Sequence, residues 1–204
     1  SEGQAYTAFQ EYLKEHKDLG ILLNINSKNE MDNALAGLAH PEGTLRKDDF
    51  IVIKANWNPK SQNLQEIANE LNIGTDSLVF IDDNPAEREI IHMQFPETAA
   101  PDIGDKPEMY IRRIDRSGFF ETLNISNDDL KKNEMYQQNA QRNHLLQQFT
   151  NYEDYLISLD MHAKIERFVP MYMQRIAQLT NKSNQFNLTT KRYTQAEIEM
   201  VAND

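Results

Sequence analysis

Apolar positions along this chain change period several times, and each change marks an element. Tyr6, Phe9, Tyr12 and Leu13 recur at helical spacing and Gly20 follows as a stop, predicting an amphipathic helix over roughly residues 3–17. Residues 21–26 are a short, mostly apolar strand with Ser27 at its end. Asn29 then stands as a cap for a helix over about 30–39, with Met31, Ala34, Leu35 and Leu38 inward. Phe50 to Ile53 form a second short strand. A helix from about Lys60 to residue 72 carries Leu64, Ile67, Ala68 and Leu71 on one stripe, with Gly74 closing it. Leu78-Val79-Phe80-Ile81 is a strand buried on both faces that runs straight into Asp82-Asp83-Asn84-Pro85 and a charged helix start. This alternation implies right-handed crossovers and a mainly parallel sheet with helices on both faces, an α/β fold.

The pattern then loosens. Residues 96–107 hold three prolines and a glycine without a period, the signature of a loop leaving the sheet. A helix is expected from Pro107 to about Thr122, with Met109, Tyr110, Ile114 and Phe119 as its apolar contacts. A long polar helix follows from Ser126 to about Phe149, its apolar residues too sparse for a full stripe, as in a helix that bridges two bodies. Tyr152, Tyr155, Leu156 and Leu159 start another helix. Residues 161–169 alternate like a half-buried strand, and a helix after Pro170 leads into an amide-rich segment. Three domains are therefore expected: 1–103, a helical linker over 104–150, and a second fold beginning at 151–204.

Composition narrows the function classes. The 204 residues suffice for one sizeable α/β domain and part of a second. A net charge of −11 argues against an extended nucleic-acid surface, and no run approaches the roughly 20 apolar residues that span a bilayer, so a cytoplasmic protein without nucleic-acid or membrane partners is expected. There is no cysteine, which excludes disulfides, thiolate metal sites and thiol nucleophiles within these residues. His16, His40, His92, His144 and His162 lack metal-ligand spacing.

The ends of the expected strands carry the chemistry. Open α/β sheets bind ligands at the carboxyl ends of their strands. Adjacent aspartates on a strand point in opposite directions, so one of Asp82 and Asp83 faces a crevice while its neighbour packs beside it. A carboxylate at such a tip suits magnesium, which takes oxygen ligands and keeps several waters. Ser27 supplies a hydroxyl and Lys60 a cation, and together with the acids these are what a transferring phosphoryl group requires. Each has a plainer role open to it: Ser27 as a helix cap, Lys60 as a solvated lysine, Asp-Asn-Pro as turn chemistry.

Four segments in order resemble the haloacid dehalogenase superfamily of aspartyl-phosphate enzymes, and within it the FkbH-like proteins of subfamily IIIC. They are Ile25-Asn26-Ser27-Lys28-Asn29, the run from Asn56 to Leu64, the run from Phe80 to Arg88, and the run from Asn181 to Tyr193. The resemblance implies a Rossmannoid three-layer parallel sheet at 1–103 and, at 151–204, the start of a GNAT-like α+β acyltransferase domain. It also implies Mg²⁺ as cofactor and a phosphorylated small molecule as substrate. Ser27, Lys60 and Asp83 would serve catalysis, Ser27 on the phosphoryl group, Lys60 neutralising it and Asp83 orienting the metal's surroundings. Asp82 would bind the metal, and Asn29, Asn184, Gln185 and Asn187 would contact substrate. The amides of the last segment have an alternative as caps of their own loop, and Lys191 and Arg192 face either phosphates or solvent.

Two departures from the family pattern bear on mechanism. The superfamily nucleophile is the first aspartate of an Asp-x-Asp-x-Thr strand, and no segment of residues 1–204 matches it. The chain therefore resembles an N-terminally incomplete member, and without that aspartate these residues are expected to be inactive. FkbH-like relatives are thought to move a glyceryl group from 1,3-bisphosphoglycerate to an acyl carrier protein, commonly with a cysteine before the motif serine; here that position is Asn26. Either acyl transfer is direct or the substrate differs. The competing function class is a carrier-protein docking or scaffold module that retains the fold without catalysis.

Overall fold

The structure is a computed structural model that describes residues 2–121, 125, 127–146, 148–182 and 191–203. It divides into two compact units, Ser1–Thr150 and Asn151–Asp204.

In the first unit, helix α1 (Glu2–Asp18) precedes strand β1 (Leu23–Ser27), helix α2 (Met31–Leu38), strand β2 (Phe50–Ala55), helix α3 (Lys60–Leu71) and helix α4 (Pro85–Gln94). The strands pair in parallel with Leu23 opposite Phe50 and Ser27 opposite Ala55. The register slips between Leu23 and Asn24, where the Asn24 side chain accepts the Val52 N–H at 3.1 Å. A side chain thus satisfies a buried strand donor where the ladder is irregular.

The expected third strand is extended but barely paired. Residues 78–81 make one parallel bridge, Val79 to Ala99, and Phe80 N–H donates to Ala99 O at 2.7 Å. Among the described residues the sheet is thus two strands and a bridge, smaller than the sheet the pattern predicts. Ala99 lies inside the segment expected to be a loop. The two faces are nevertheless those of a layered α/β fold. Phe80 packs with Leu64 of α3 and Ile91 of α4, while its neighbour Ile81 packs on the opposite side with Ile103, Tyr110 and Ile114. Phe9 and Tyr12 of α1 join that second cluster.

Several boundaries move for local reasons. Asn72, at φ 54°, closes α3, so Gly74 is not its stop. Glu30 rather than Asn29 occupies the cap position of α2, and the Asn29 carboxamide oxygen instead accepts the Glu30 N–H at 2.8 Å. Met31, expected inward, is exposed. Helix α5 (Tyr110–Ser117) ends at Gly118, φ 71°, short of residue 122. It packs on α1 inside the first unit, where a linker was expected. The long polar helix is two pieces, α6 (Asn127–Leu130) and α7 (Lys132–Leu146).

The second unit contains α8 (Tyr152–Ser158), α9 (Met173–Lys182) and α10 (Gln195–Asn203). Met173, Ala177 and Ile198 form its core with Ile176, Tyr193 and Ala202 around them. The strand expected at 161–169 does not form: Met161, Ile165, Phe168 and Val169 are exposed, and alternation without a partner strand or a face to bury gives no strand. The described residues of this unit therefore contain helices and no strand. No described helix is long and apolar enough to cross a membrane.

Candidate active site

The carboxyl ends of β1, β2 and the 78–81 segment come together at one rim through side chains that tie each to the next. Lys60, first residue of α3, reaches Asp82 with Nζ 2.5 Å from Oδ2. Asp82 is 7% exposed, and its other oxygen accepts the Asn84 N–H at 2.9 Å. A buried carboxylate is tolerated only when it is paired and hydrogen-bonded in this way. Asn84 in turn caps α4, accepting the Ala86 N–H at 2.9 Å, with Pro85 in the first turn. Turn chemistry and acid placement are thus the same few residues.

Ser27 is held between two of these ties. Its predecessor Asn26 donates to Lys60 O at 2.7 Å, and its successor Lys28 pairs with Glu87 at 2.5 Å. Ser27 O accepts the Asn56 N–H at 3.1 Å, extending the β1–β2 register by one step. The Ser27 hydroxyl has no hydrogen bond among the described residues and is partly exposed, free to donate to a ligand. Ser27, Lys60 and Asp82 therefore lie at one rim. Asp83 is exposed, its carboxylate without a hydrogen bond or ion pair among the described residues. Its charge is felt by buried Tyr110, whose hydroxyl pKa is pushed up to about 12 by burial first and by Asp83 next.

Two supporting residues escape a motif-based reading. Asn63 is fully buried, donating to Asn26 Oδ1 at 3.2 Å and Asn56 Oδ1 at 2.9 Å. It fixes the two loops that carry Ser27 and Lys60. Its position on the Leu64–Ile67–Leu71 stripe of α3 was the available signal, because a polar residue there must find buried partners. Arg88 is also buried; its guanidinium donates to Asp82 O at 2.8 Å, Asp83 O at 3.0 Å and Asp102 at 2.7 Å. It satisfies the carbonyls that the short strand pairing leaves open. Asn29 lies two residues beyond Ser27 and is half-buried, while Asn184, Gln185 and Asn187 lie outside the described residues.

Asp82 and Asp83 are the groups here fit to hold a hard cation. No cluster of three or more His, Asp or Glu side chains able to hold a metal occurs among the described residues, so a cation at this tip would draw its remaining ligands from water, substrate or another segment.

Beside the acids lies a cavity of about 500 Å³. Leu22, Leu23 and Asn24 line one side and Val79, Phe80 and Ile81 the other, with Leu64 and Ile67 of α3 and Phe9 and Tyr12 of α1 also on its walls. β1 is paired to β2 and Val79 to Ala99, so the strand edges that face this cavity are unpaired among the described residues.

The chain is similar to the crystal structure of the N-terminal part of the protein BF1531 from Bacteroides fragilis, which contains a phosphatase domain complexed with Mg. The two are 37% identical with a TM-score of 0.60, over 61% of this chain and 34% of that one. The chain thus spans about a third of the length of that crystallised chain. No family model and no curated protein matches this chain.

Proposed function

We propose that the intact protein is a Mg²⁺-dependent phosphatase or phosphotransferase that acts on a phosphorylated small molecule through an aspartyl phosphate. The observation that carries this reading is the Lys60–Asp82 pair beside the unpartnered Ser27 hydroxyl at the carboxyl rim of a parallel sheet. The Mg-complexed phosphatase domain of the similar structure supports it. Ser27 would donate to a phosphoryl oxygen and the Lys60 ammonium would offset its charge. Asp82 would hold the cation, releasing part of its grip on Lys60, with exposed Asp83 orienting the surrounding waters. The cation's part is to neutralise charge that shifts onto the phosphoryl oxygens.

The nucleophile is proposed to come from an Asp-x-Asp-x-Thr strand outside these 204 residues. The apolar cavity between two unpaired strand edges supports this, because a strand laid there would pair on both sides and end beside Asp82. The finer reading is FkbH-like: dephosphorylation of an acyl phosphate such as 1,3-bisphosphoglycerate and transfer of glyceryl to an acyl carrier protein, with residues 151–204 opening a GNAT-like domain. Asn26 stands where relatives carry the thiol and spends its amide on Lys60 O and Asn63, which favours direct transfer over a protein-bound thioester.

The test is phosphate release by the intact protein from a panel of acyl and sugar phosphates, with Mg²⁺ and then with chelator, followed by intact-mass analysis of the quenched enzyme. Mg²⁺-dependent release with a phosphoryl adduct is expected. A metal-independent rate, or no release from any substrate, overturns the proposal.

A further inference from the structure

One strand further along the same rim lies a second polar concavity, and its charge is opposite to that of the molecule. It encloses about 410 Å³ and is lined by Asp102, Arg112, Arg113 and Arg116 with Pro101, Met109 and Ser117. Val79 is bridged in parallel to Ala99, so Asp82 and Asp102 each stand three residues past the bridge, at the same level of neighbouring segments. Arg88 spans them, bonded to Asp82 O on one side and Asp102 Oδ1 on the other. Helix α5, which carries all three lining arginines, begins at Tyr110, close enough to Asp83 to feel its charge.

Asp102 is the pocket's one carboxylate, and it is already engaged. It accepts the Gly104 N–H at 3.0 Å and pairs with Arg88 at 2.7 Å and Arg113 at 3.2 Å, which together hold its pKa below the usual carboxylate range. Arg112 and Arg116 have no hydrogen bond or ion pair among the described residues. They are exposed and stand four positions apart on α5, so their guanidinium groups share one face and repel. Arg116 in the last turn offsets the helix dipole. Arg112 gains nothing of that kind. In a chain of net charge −11, three arginines within five residues lining one concavity create a local attraction for anions, and guanidinium forks match carboxylate and phosphate oxygens in pairs.

We propose that the Arg112–Arg116 pocket is a subsite for a second anionic group, a carboxylate or a phosphate, on the phosphorylated substrate handled at the Asp82 rim. This rests on the phosphatase reading above for its substrate, but not for its anion binding. The substrate class becomes a short molecule with a phosphoryl group at one end and a further negative charge at the other.

The first experiment needs no catalysis. Malonate, and separately inorganic phosphate, are titrated without divalent metal into the protein while the arginine Nε–H resonances are followed by NMR. Saturable shifts at Arg112, Arg113 and Arg116 are expected, with that of the remaining reporter Arg113 lost in the Arg112→Ala/Arg116→Ala double variant and all three kept in Lys60→Ala. Absence of shifts in the unaltered protein, or an Arg113 shift that persists in the double variant, overturns the subsite whether or not the protein is a phosphatase. The second experiment compares phosphoglycolate with glycerol 3-phosphate as substrates of the intact protein. The double variant is expected to raise KM for phosphoglycolate about tenfold with kcat unchanged, and to leave glycerol 3-phosphate unaffected. An equal effect on both substrates, or on neither, contradicts the proposal. If neither substrate is turned over by the unaltered protein, the NMR result alone decides the subsite.

Discussion

Lys60 and Asp82 each depend on the other for being where they are. Asp82 is nearly enclosed, and removing the lysine leaves a carboxylate with one backbone donor in place of two partners. Lys60→Ala is therefore expected to cost about 3 kcal/mol of stability, read by denaturant unfolding. Asn63 is the silent partner of this pair. Replacing it with Leu, similar in outline but bulkier and apolar, removes one hydrogen-bond partner from Asn26 and both of Asn63's bonds to Asn56, with an expected loss of about 2 kcal/mol and a drop in phosphate release although Asn63 touches no substrate. Asp49 sets the acid limit. Burial pushes its pKa up, but the Lys17 ammonium at 2.6 Å and the Arg46 N–H outweigh that and hold it below its ordinary value. A depressed folded pKa means stability that is fully present above the unfolded value near about pH 4 and lost as pH falls through the folded one. Melting temperature should fall more steeply below about pH 4 in the unaltered protein than in Asp49→Asn.

At the scale of elements, glycine geometry marks a joint that periodicity foreshadowed. Gly20 has φ +99°, and a Cβ there would lie 2.3 Å from Asp129 O, so the turn after α1 seats the backbone of α6 directly against it. Gly20→Ala should destabilise the first unit by about 2 kcal/mol or more and increase hydrogen exchange in α6. Helices α1 to α3 were legible from their apolar stripes and the start of α4 from Asn84-Pro85, while the cap read for α2 and the stop read for α3 each fell one or two residues from the true ones. The 78–81 segment was legible as extended because Phe80 and Ile81 alternate between two helical layers. What the pattern did not reveal was pairing, since apolar residues declare that a strand is buried and not which neighbours it bonds. Residues 161–169 show the opposite failure, an alternation with no face to bury. Ser27 and Asp82 were expected at the ends of extended segments and Lys60 at the start of a helix, and they stand there; the roles given them came from the family resemblance. Arg88 gave no signal, because its role consists of hydrogen bonds to backbone carbonyls that no linear pattern carries, and Asn63 gave only a polar side chain on an apolar stripe, which does not name its partners.

For the molecule as a whole, an acidic surface coexists with two local exceptions: a lysine–aspartate pair at the sheet's rim and an arginine-lined pocket beside it. The cavity between β1 and residues 78–81 has Asn26 and Ile81 among its walls, the residues that directly precede Ser27 and Asp82. If Lys60 and Asp82 act together on a phosphoryl group with a divalent cation, turnover requires both. The most direct measurement is Mg²⁺-dependent phosphate release by the intact protein and by its Asp82→Asn and Lys60→Ala variants, with folding of each checked by circular dichroism. Both folded variants are expected to lose about 100-fold or more in kcat. Undiminished release by either one would contradict it.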